Sequence, residues 1–160
     1  MKIINESEVE LEHRLSPGET FELKRRHVSL ALGGAKDKGT WGGGFPFDVE
    51  LATLPPGKKN YPYHAHAAQW EQYIFVSGTG RLLNQNREWI SVRKGDHVLC
   101  PPGRAHQIHN NTEEPLVYYV ISDHPRADVT TYPNTGKRHL KPDYLVCRVE
   151  ETDYYEGEES

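Results

Sequence analysis

Turn-forming residues interrupt this chain of 160 residues so often that long helices are not expected. The breaks PPG at 55–57, KGD at 94–96 and PPG at 101–103 belong to a series that recurs roughly every 8–12 residues. Short runs of β-branched and aromatic residues lie between the breaks, and EQYIFVS at 71–77 is typical of them. A 3.6-residue period is absent, apart from a short stretch at 7–14. This pattern predicts an all-β antiparallel sandwich or barrel.

The two ends differ from the centre. Residues 45–122 hold the regularly spaced strands and are predicted to form the barrel core. Residues 1–44 are predicted to form an arm that packs on the barrel or on a partner chain, with one strand at 28–32. Residues 123–160 are predicted to form a C-terminal extension with strands at 129–132 and 145–149. The last 11 residues contain six carboxylates and no Lys or Arg, so we expect a solvated acidic tail.

Composition excludes several classes of protein. The chain has no run of 18 apolar residues, so no membrane span is expected, and its polar start lacks the apolar stretch of a secretory signal. It has no basic stripe of the kind that binds nucleic acid. Cys100 and Cys147 form no metal or redox motif and are expected to be reduced thiols. We therefore expect a cytoplasmic protein that binds a small molecule. The arm strand at 28–32 is expected to pair with the barrel edge of a second chain, which predicts a homodimer.

Three residues near the centre carry metal-ligand chemistry. His64 and His66 are separated by one residue in a strand pattern, so both imidazoles should point to the same side. Glu71 begins the next strand, and a hairpin can return its carboxylate to that side. His106 follows the PPG turn at 101–103 and is a fourth candidate, although periodicity alone does not show that it faces the others. Imidazole and carboxylate ligands suit one divalent Mn, Fe, Co, Ni or Zn ion.

Two segments resemble the paired motifs of the cupin superfamily. HAHAAQWEQYIFVSG at 64–78 is similar to the first motif, with its two histidines, glutamate and final glycine. GDHVLCPPGRAHQIHN at 95–110 is similar to the second, with its glycines, proline, histidine and asparagine. Gly57, which opens the first motif, lies one residue further from His64 than is usual. The resemblance implies a double-stranded β-helix, or jelly-roll barrel, in which the four candidate ligands converge on one metal ion.

Four further residues are predicted to line a pocket above the metal. Tyr73 shares strand parity with Glu71, whereas Ile108 and Asn110 continue the strand after His106. Arg104 is expected at the barrel mouth, where it can pair with an anionic substrate. The tail VEETDYYEGEE and the loop TTYPNTGK also resemble a group of small bacterial cupins, some of which carry sugar-phosphate isomerase names.

Three functions remain open from the sequence. The first is a metal-dependent isomerase of a sugar or keto-acid, in which the ion stabilises an enediolate. This reaction requires a general base, and the sequence offers only Tyr73 or a metal-bound hydroxide. The alternatives are an iron-dependent dioxygenase and a non-catalytic binding or sensing module. The fold alone does not choose among them.

Overall fold

A computed structural model describes residues 1–159. It contains 13 strands and one short α-helix. In chain order these are β1 (Leu11–Leu15), β2 (Glu22–His27), α1 (Val28–Leu32), β3 (Asp48–Leu54), β4 (Ala65–His66), β5 (Glu71–Ser77), β6 (Thr79–Leu83), β7 (Trp89–Arg93), β8 (His97–Cys100), β9 (Gln107–His109), β10 (Leu116–Ser122), β11 (Asp128–Tyr132), β12 (Lys137–Lys141) and β13 (Leu145–Arg148).

Two walls enclose the barrel. One wall is a six-stranded antiparallel sheet in the order β1-β2-β3-β10-β5-β8. The other is built from the sheets β13-β12-β11-β4 and β7-β6-β9, which are joined where His64 and His106 form an antiparallel bridge. The predicted all-β fold, a double-stranded β-helix barrel, is therefore confirmed.

Strand register decides which side chains enter the barrel. Residues directly opposite each other in neighbouring antiparallel strands face the same side of the sheet. Tyr73 on β5 lies opposite Val120 on β10, which lies opposite Glu50 on β3, so these three side chains form one inward row. Glu71 lies opposite Ser122 in the next inward row. The six-stranded sheet therefore presents two carboxylates and a phenol to the barrel interior.

The N-terminal arm contains one wrong prediction. Residues 28–32 are the helix α1 and not a strand, because VSLAL carries the helix formers Leu and Ala and ends at Gly33. Gly33 has a φ of 111°, the left-handed conformation that commonly terminates a helix. The strands of the arm that the sequence did not reveal are β1 and β2. β2 pairs with β3 of the same chain and buries Leu23, Arg25 and His27. The segment expected to pair with a second chain is therefore part of this helix.

A cluster of four charged side chains joins the arm to the barrel, and we call it the arm cluster: Glu12, Arg25, His27 and Glu50. Arg25 Nε donates to Glu12 Oε2 at 2.6 Å, and Arg25 Nη1 donates to Glu50 Oε2 at 3.1 Å. The His27 ring lies between the same carboxylates, 2.6 Å from Glu12 and 2.8 Å from Glu50. The hydrogen bond with Glu50 raises the pKa of His27 above its usual value, and Glu12 adds to this although burial opposes it.

The C-terminal segment is a meander of three strands. The predicted strands at 129–132 and 145–149 are confirmed as β11 and β13, but β12 lies between them and was not predicted. β11 also pairs with β4, so it lies directly beside the strand that carries His66. Residues 150–159 of the acidic tail are exposed, including Tyr154 and Tyr155, as expected of a solvated end. Among residues 1–159, no helix is long and apolar enough to cross a membrane.

Candidate metal centre

The candidate ligands meet at one carboxylate oxygen. Glu71 Oε2 lies 3.0 Å from His106 Nε2, 3.8 Å from His66 Nε2 and 4.0 Å from His64 Nε2. Ligand atoms of His64, His66 and Glu71 all lie within 4.8 Å of one another. His64 and His106 are buried, and the side chains of His66 and Glu71 are 11% and 12% exposed.

Backbone pairing explains why His106 joins a site that begins 42 positions earlier in the chain. His106 N donates to His64 O at 2.8 Å, and His64 N donates to His106 O at 3.2 Å. The two residues are thus directly opposite, so their side chains face the same side and their ring centroids are 4.7 Å apart. The turn at 101–103 is held to the same strand, because Gly103 N donates to His66 O at 2.7 Å.

Each imidazole is oriented by its second nitrogen. The Nδ1–H group of His64 donates to Pro62 O at 2.9 Å, and that of His106 donates to Arg104 O at 3.0 Å. His66 Nδ1 donates to Asp128 Oδ2 at 2.6 Å. Histidines that bind metals in proteins almost always use their second nitrogen in this way. The arrangement directs three Nε2 atoms at a carboxylate oxygen, and this donor set fits a divalent transition metal ion.

The pKa values show what holds the site together without a metal ion. Burial lowers the pKa of His64 to about 3, so this ring is neutral near pH 7. Burial also lowers the basicity of His106, but the side chains of Cys100 and Glu71 outweigh it and raise the pKa of His106 to about 10. The hydrogen bond from His106 holds the pKa of Glu71 well below its usual range, although burial opposes this. Glu71 and His106 are therefore held together as an ion pair, with Glu71 Oε2 3.0 Å from His106 Nε2.

The centre opens into a cavity of about 320 Å³. Tyr73 lines this cavity as predicted, and its hydroxyl lies 3.2 Å from Glu71 Oε2 and 3.1 Å from His106 Nε2. Burial raises the pKa of Tyr73 well above its usual value, so the phenol stays protonated. A volume of this size lies at the lower end of the range for small-molecule pockets.

Three residues predicted for the pocket do not line it. Ile108 packs in the hydrophobic core. Asn110 is fully buried in a turn, where its amide donates to Leu54 O and Glu114 O at 2.8 Å each. Arg104 is exposed and donates to the side chain of Gln85. Strand parity failed as a guide to Asn110 because β9 ends at His109, whereas Ile108 lies within β9 and faces the hydrophobic core of the barrel.

The cavity residues that the sequence did not reveal come from β2, β3, the connection between β3 and β4, and the C-terminal segment. The fully buried Asp128 carboxylate orients His66 and also accepts from Ala68 N at 2.8 Å. Burial opposes ionisation, but these hydrogen bonds lower the pKa of Asp128 to about 2. The unpredicted members of the cavity wall include Arg25, Glu50, Tyr61, Thr130, Tyr132, His139 and Lys141. Which of these residues face the cavity can be decided only once the order of the strands is known.

A family comparison agrees with the geometry of the centre. Residues 50–122, which include all four candidate ligands, match the family model described as the cupin domain. The chain therefore contains a cupin domain.

Relatives of this cupin with known names include isomerases. Glucose-6-phosphate isomerase of Pyrococcus furiosus is 33% identical over 87 residues, which cover 46% of this chain and 46% of that protein. An uncharacterized protein of Methanocaldococcus jannaschii is 32% identical over 80 residues, or 62% of its length. The match thus spans only about half the length of these curated relatives.

Solved structures resemble this cupin over nearly its whole length. A protein of Acidithiobacillus ferrooxidans, named provisionally as a sugar phosphate isomerase, has a TM-score of 0.74 and 26% identity, and the alignment covers 91% of this chain and 92% of that chain. A sugar phosphate isomerase of Silicibacter pomeroyi has a TM-score of 0.76 over 92% of both chains. Its identity of 19% shows a shared fold only.

Proposed function

We propose that this cupin is a metal-dependent isomerase of a small hydroxy-carbonyl compound, with a sugar as its substrate. The observation that carries the proposal is the convergence of three oriented Nε2 atoms on Glu71 Oε2, with His64, His66 and Glu71 in the wall of a small-molecule cavity. The names of the relatives from Pyrococcus furiosus and Acidithiobacillus ferrooxidans support the choice of reaction.

In this proposal His64, His66, Glu71 and His106 hold one divalent metal ion. The ion supplies a Lewis acid that stabilises negative charge on a carbonyl oxygen of the substrate. The residues of the chain fix the ligands: Asp128 and two backbone carbonyls hold the rings, and the Tyr73 hydroxyl donates to Glu71. Since these groups are buried and mutually bonded, little reorganisation is needed when the ion binds.

Aldose–ketose isomerisation moves a proton between two neighbouring carbons, so the cavity must contain a proton acceptor. Glu50 supplies one that the sequence did not reveal. It faces the interior in the same row as Tyr73 and lines the cavity. His27 Nδ1 lies 2.8 Å from its carboxylate and Arg25 Nη1 lies 3.1 Å from Oε2, so these two groups fix the position of Glu50. We assign Glu50 the role of acid–base group in the proposed reaction.

The test combines metal analysis with an isotope experiment. The protein is loaded separately with Mn, Fe, Co, Ni and Zn, and each form is incubated with glucose 6-phosphate or fructose 6-phosphate in D₂O. A panel of other aldose and ketose phosphates follows. We expect isomerisation, or deuterium incorporation next to the carbonyl, detected by proton NMR. His64→Ala should remove both metal and activity, whereas His109→Ala, a histidine outside the centre, should retain both.

Other results favour the alternative functions. O₂ uptake by the iron form without isomerisation favours a dioxygenase. Ligand-dependent thermal stabilisation without turnover favours a binding or sensing module. If no metal form isomerises any substrate of the panel, the proposal is wrong. Glu50→Gln should retain the metal content but lose isotope incorporation; a fully active Glu50→Gln variant contradicts the role assigned to this residue.

A further inference from the structure

The wall of the cavity that leads away from His66 is polar and basic. His66 on β4 lies opposite Thr130 on β11, and Thr130 lies opposite His139 on β12. Lys141 follows His139 by two residues, so both side chains are on the same face of β12. Thr130, His139 and Lys141 all line the cavity. Together with His66 they form a polar row across β4, β11 and β12 that begins at a candidate metal ligand.

Lys141 is a half-buried cation without a partner carboxylate. Its Nζ donates to Oε1 of the buried Gln69 at 2.9 Å. Among residues 1–159, no carboxylate oxygen lies within 4.0 Å of it. Asp128 is its neighbour across the β11–β12 pair, but both Asp128 oxygens are engaged by His66 and Ala68. Charges removed from water are normally paired, so an ammonium held in this way indicates an anion that arrives with the ligand.

The effect of this charge is visible at its neighbour. Burial lowers the pKa of His139, and the charge of Lys141 lowers it further. His139 is therefore neutral near pH 7 and offers a ring nitrogen as a hydrogen-bond donor without competing for the anion as a second full charge. A neutral donor beside one ammonium suits the several oxygens of a phosphate group.

The two arginines of the cavity wall form ion pairs, whereas Lys141 makes none among residues 1–159 and is opposed by the neighbouring charge of Asp128, whose pKa it helps to lower. Arg25 is bound by the two carboxylates of the arm cluster. Arg14 is bound by Glu12, with Nε 3.2 Å from Oε1. Asp37 also lines the cavity and is an opposing charge, since it acts on both His139 and Tyr144. Removing the charge of Asp37 should therefore strengthen anion binding.

Spacing separates this position from the metal centre. β4 and β12 are two strand intervals apart, which corresponds to about 10 Å between their backbones. A ligand that reaches both places must carry its anion several atoms away from the oxygens at the metal. A sugar with a phosphate on its far carbon meets this requirement, whereas a short keto-acid, whose carboxylate adjoins its carbonyl, does not.

We infer that Lys141 and His139 form a phosphate-binding subsite on the hairpin of β11 and β12, which we call the C-terminal hairpin. This subsite holds the far end of the substrate. For the identity of the molecule at the metal end, this inference rests on the proposed function. It narrows the proposed substrate class from sugars to phosphorylated sugars. It also assigns specificity to a segment outside the residues that match the cupin domain.

The test measures binding of inorganic phosphate to the metal-free protein by calorimetry and by phosphorus NMR. Binding of acetate is measured by calorimetry for comparison, because acetate represents a carboxylate ligand. Lys141→Met should weaken phosphate binding at least tenfold, the effect expected when a charge-assisted hydrogen bond is lost. Lys137→Met is the matched control, because Lys137 lies on the same strand but does not line the cavity. Asp37→Asn should tighten phosphate binding. Thermal denaturation of each variant checks that it is folded.

The readout needs neither a metal ion nor turnover, so the subsite and the proposed reaction can fail separately. Phosphate binding that is lost in Lys141→Met and kept in Lys137→Met supports the subsite, even if no isomerisation is found. Equal phosphate binding by the wild-type protein and Lys141→Met overturns it, even if isomerisation is found. Acetate bound as tightly as phosphate overturns the assignment of the anion as a phosphate.

Discussion

Asp128→Asn is the sharpest test of how the metal centre is built. The Asp128 side chain is fully buried and accepts two hydrogen bonds, from His66 Nδ1 at 2.6 Å and from Ala68 N at 2.8 Å. Asparagine has the same shape but only one acceptor oxygen. If that oxygen keeps the Ala68 bond, the amide NH₂ faces His66 Nδ1. The ring must then carry its proton on Nε2, which removes the lone pair directed at the centre.

The opposite orientation of asparagine also fails. With the oxygen turned to His66, the NH₂ group faces the Ala68 amide and leaves two donors in contact. In either case one buried group loses its partner, which costs about 1–3 kcal/mol. Loss of a group that orients a metal-binding histidine typically weakens metal binding about 10–100-fold, or about 1.4–2.8 kcal/mol. We expect Asp128→Asn to lower metal affinity by this factor.

The assay is a metal titration by calorimetry, or by competition with a chelator of known affinity, on the wild type and the variant. Asp96→Asn is the matched control, because Asp96 also accepts from a backbone amide, that of Arg93, but lies in the turn between β7 and β8. The control should bind metal like the wild type. If Asp128→Asn is folded and binds metal with wild-type affinity, the orientation of His66 by Asp128 is not what maintains the site.

Three further predictions concern protonation and stability. Because the pKa of His106 is raised to about 10, a metal ion must displace the proton of this ring. We expect about one proton to be released per bound ion and the metal affinity to rise about tenfold per pH unit between about pH 6.5 and 8.5. A metal affinity that calorimetry finds independent of pH argues against this. Glu12→Gln, compared with the exposed control Glu10→Gln, should lower the free energy of unfolding by about 1–3 kcal/mol in urea denaturation, because Glu12 is a shared partner of the arm cluster. This loss of stability should be largest from about pH 5 to 6.5 and smaller above the raised pKa of His27. A group whose pKa is raised by folding stabilises the protein below its pKa in the unfolded chain, and this stabilisation is lost as the pH rises through its pKa in the folded protein. Gly95 has a φ of 92° and open space around its Cα, so Gly95→Ala should lower the free energy of unfolding by about 1–2 kcal/mol. Gly78→Ala should lower it by more, because the new Cβ would lie 2.3 Å from a backbone oxygen. Equal losses of stability for the two variants in thermal denaturation would argue against this clash.

All four candidate metal ligands could be predicted from the sequence, but the reason differs from one residue to another. Alternation along one strand is a local property, so His64 and His66 could be placed on one face from their spacing alone. His106 required knowledge of the family, because its position depends on a backbone bridge to His64 that no local pattern encodes. The structure brings these residues together, while their role as metal ligands stays a prediction.

The parts of the fold that escaped the sequence are those in which charged residues point inward. β2 has the sequence ELKRRH, which is typical of a solvated segment, yet Arg25 and His27 are buried. Their burial depends on carboxylates from β1 and β3, which lie 13 to 25 positions away in the chain. The same holds for β12, whose sequence KRHLK places Lys141 and His139 in the cavity. Composition predicts solvent exposure for such strands, and only the strand order corrects it.

The division of the site between two parts of the chain has a consequence for specificity. The candidate metal ligands lie within residues 50–122, the part that matches the cupin domain, whereas Asp128, His139 and Lys141 lie beyond it. In the proposed enzyme, the barrel therefore provides the metal chemistry, and the C-terminal hairpin both orients one ligand and selects the far end of the substrate. Because β11 contacts β4 directly, a change on the hairpin can alter both tasks. Lys141→Met separates the two, since it removes the charge in the subsite while the hydrogen bonds of Asp128 stay in place: metal affinity should persist when phosphate binding is lost, and simultaneous loss of both would show that the two tasks are not independent.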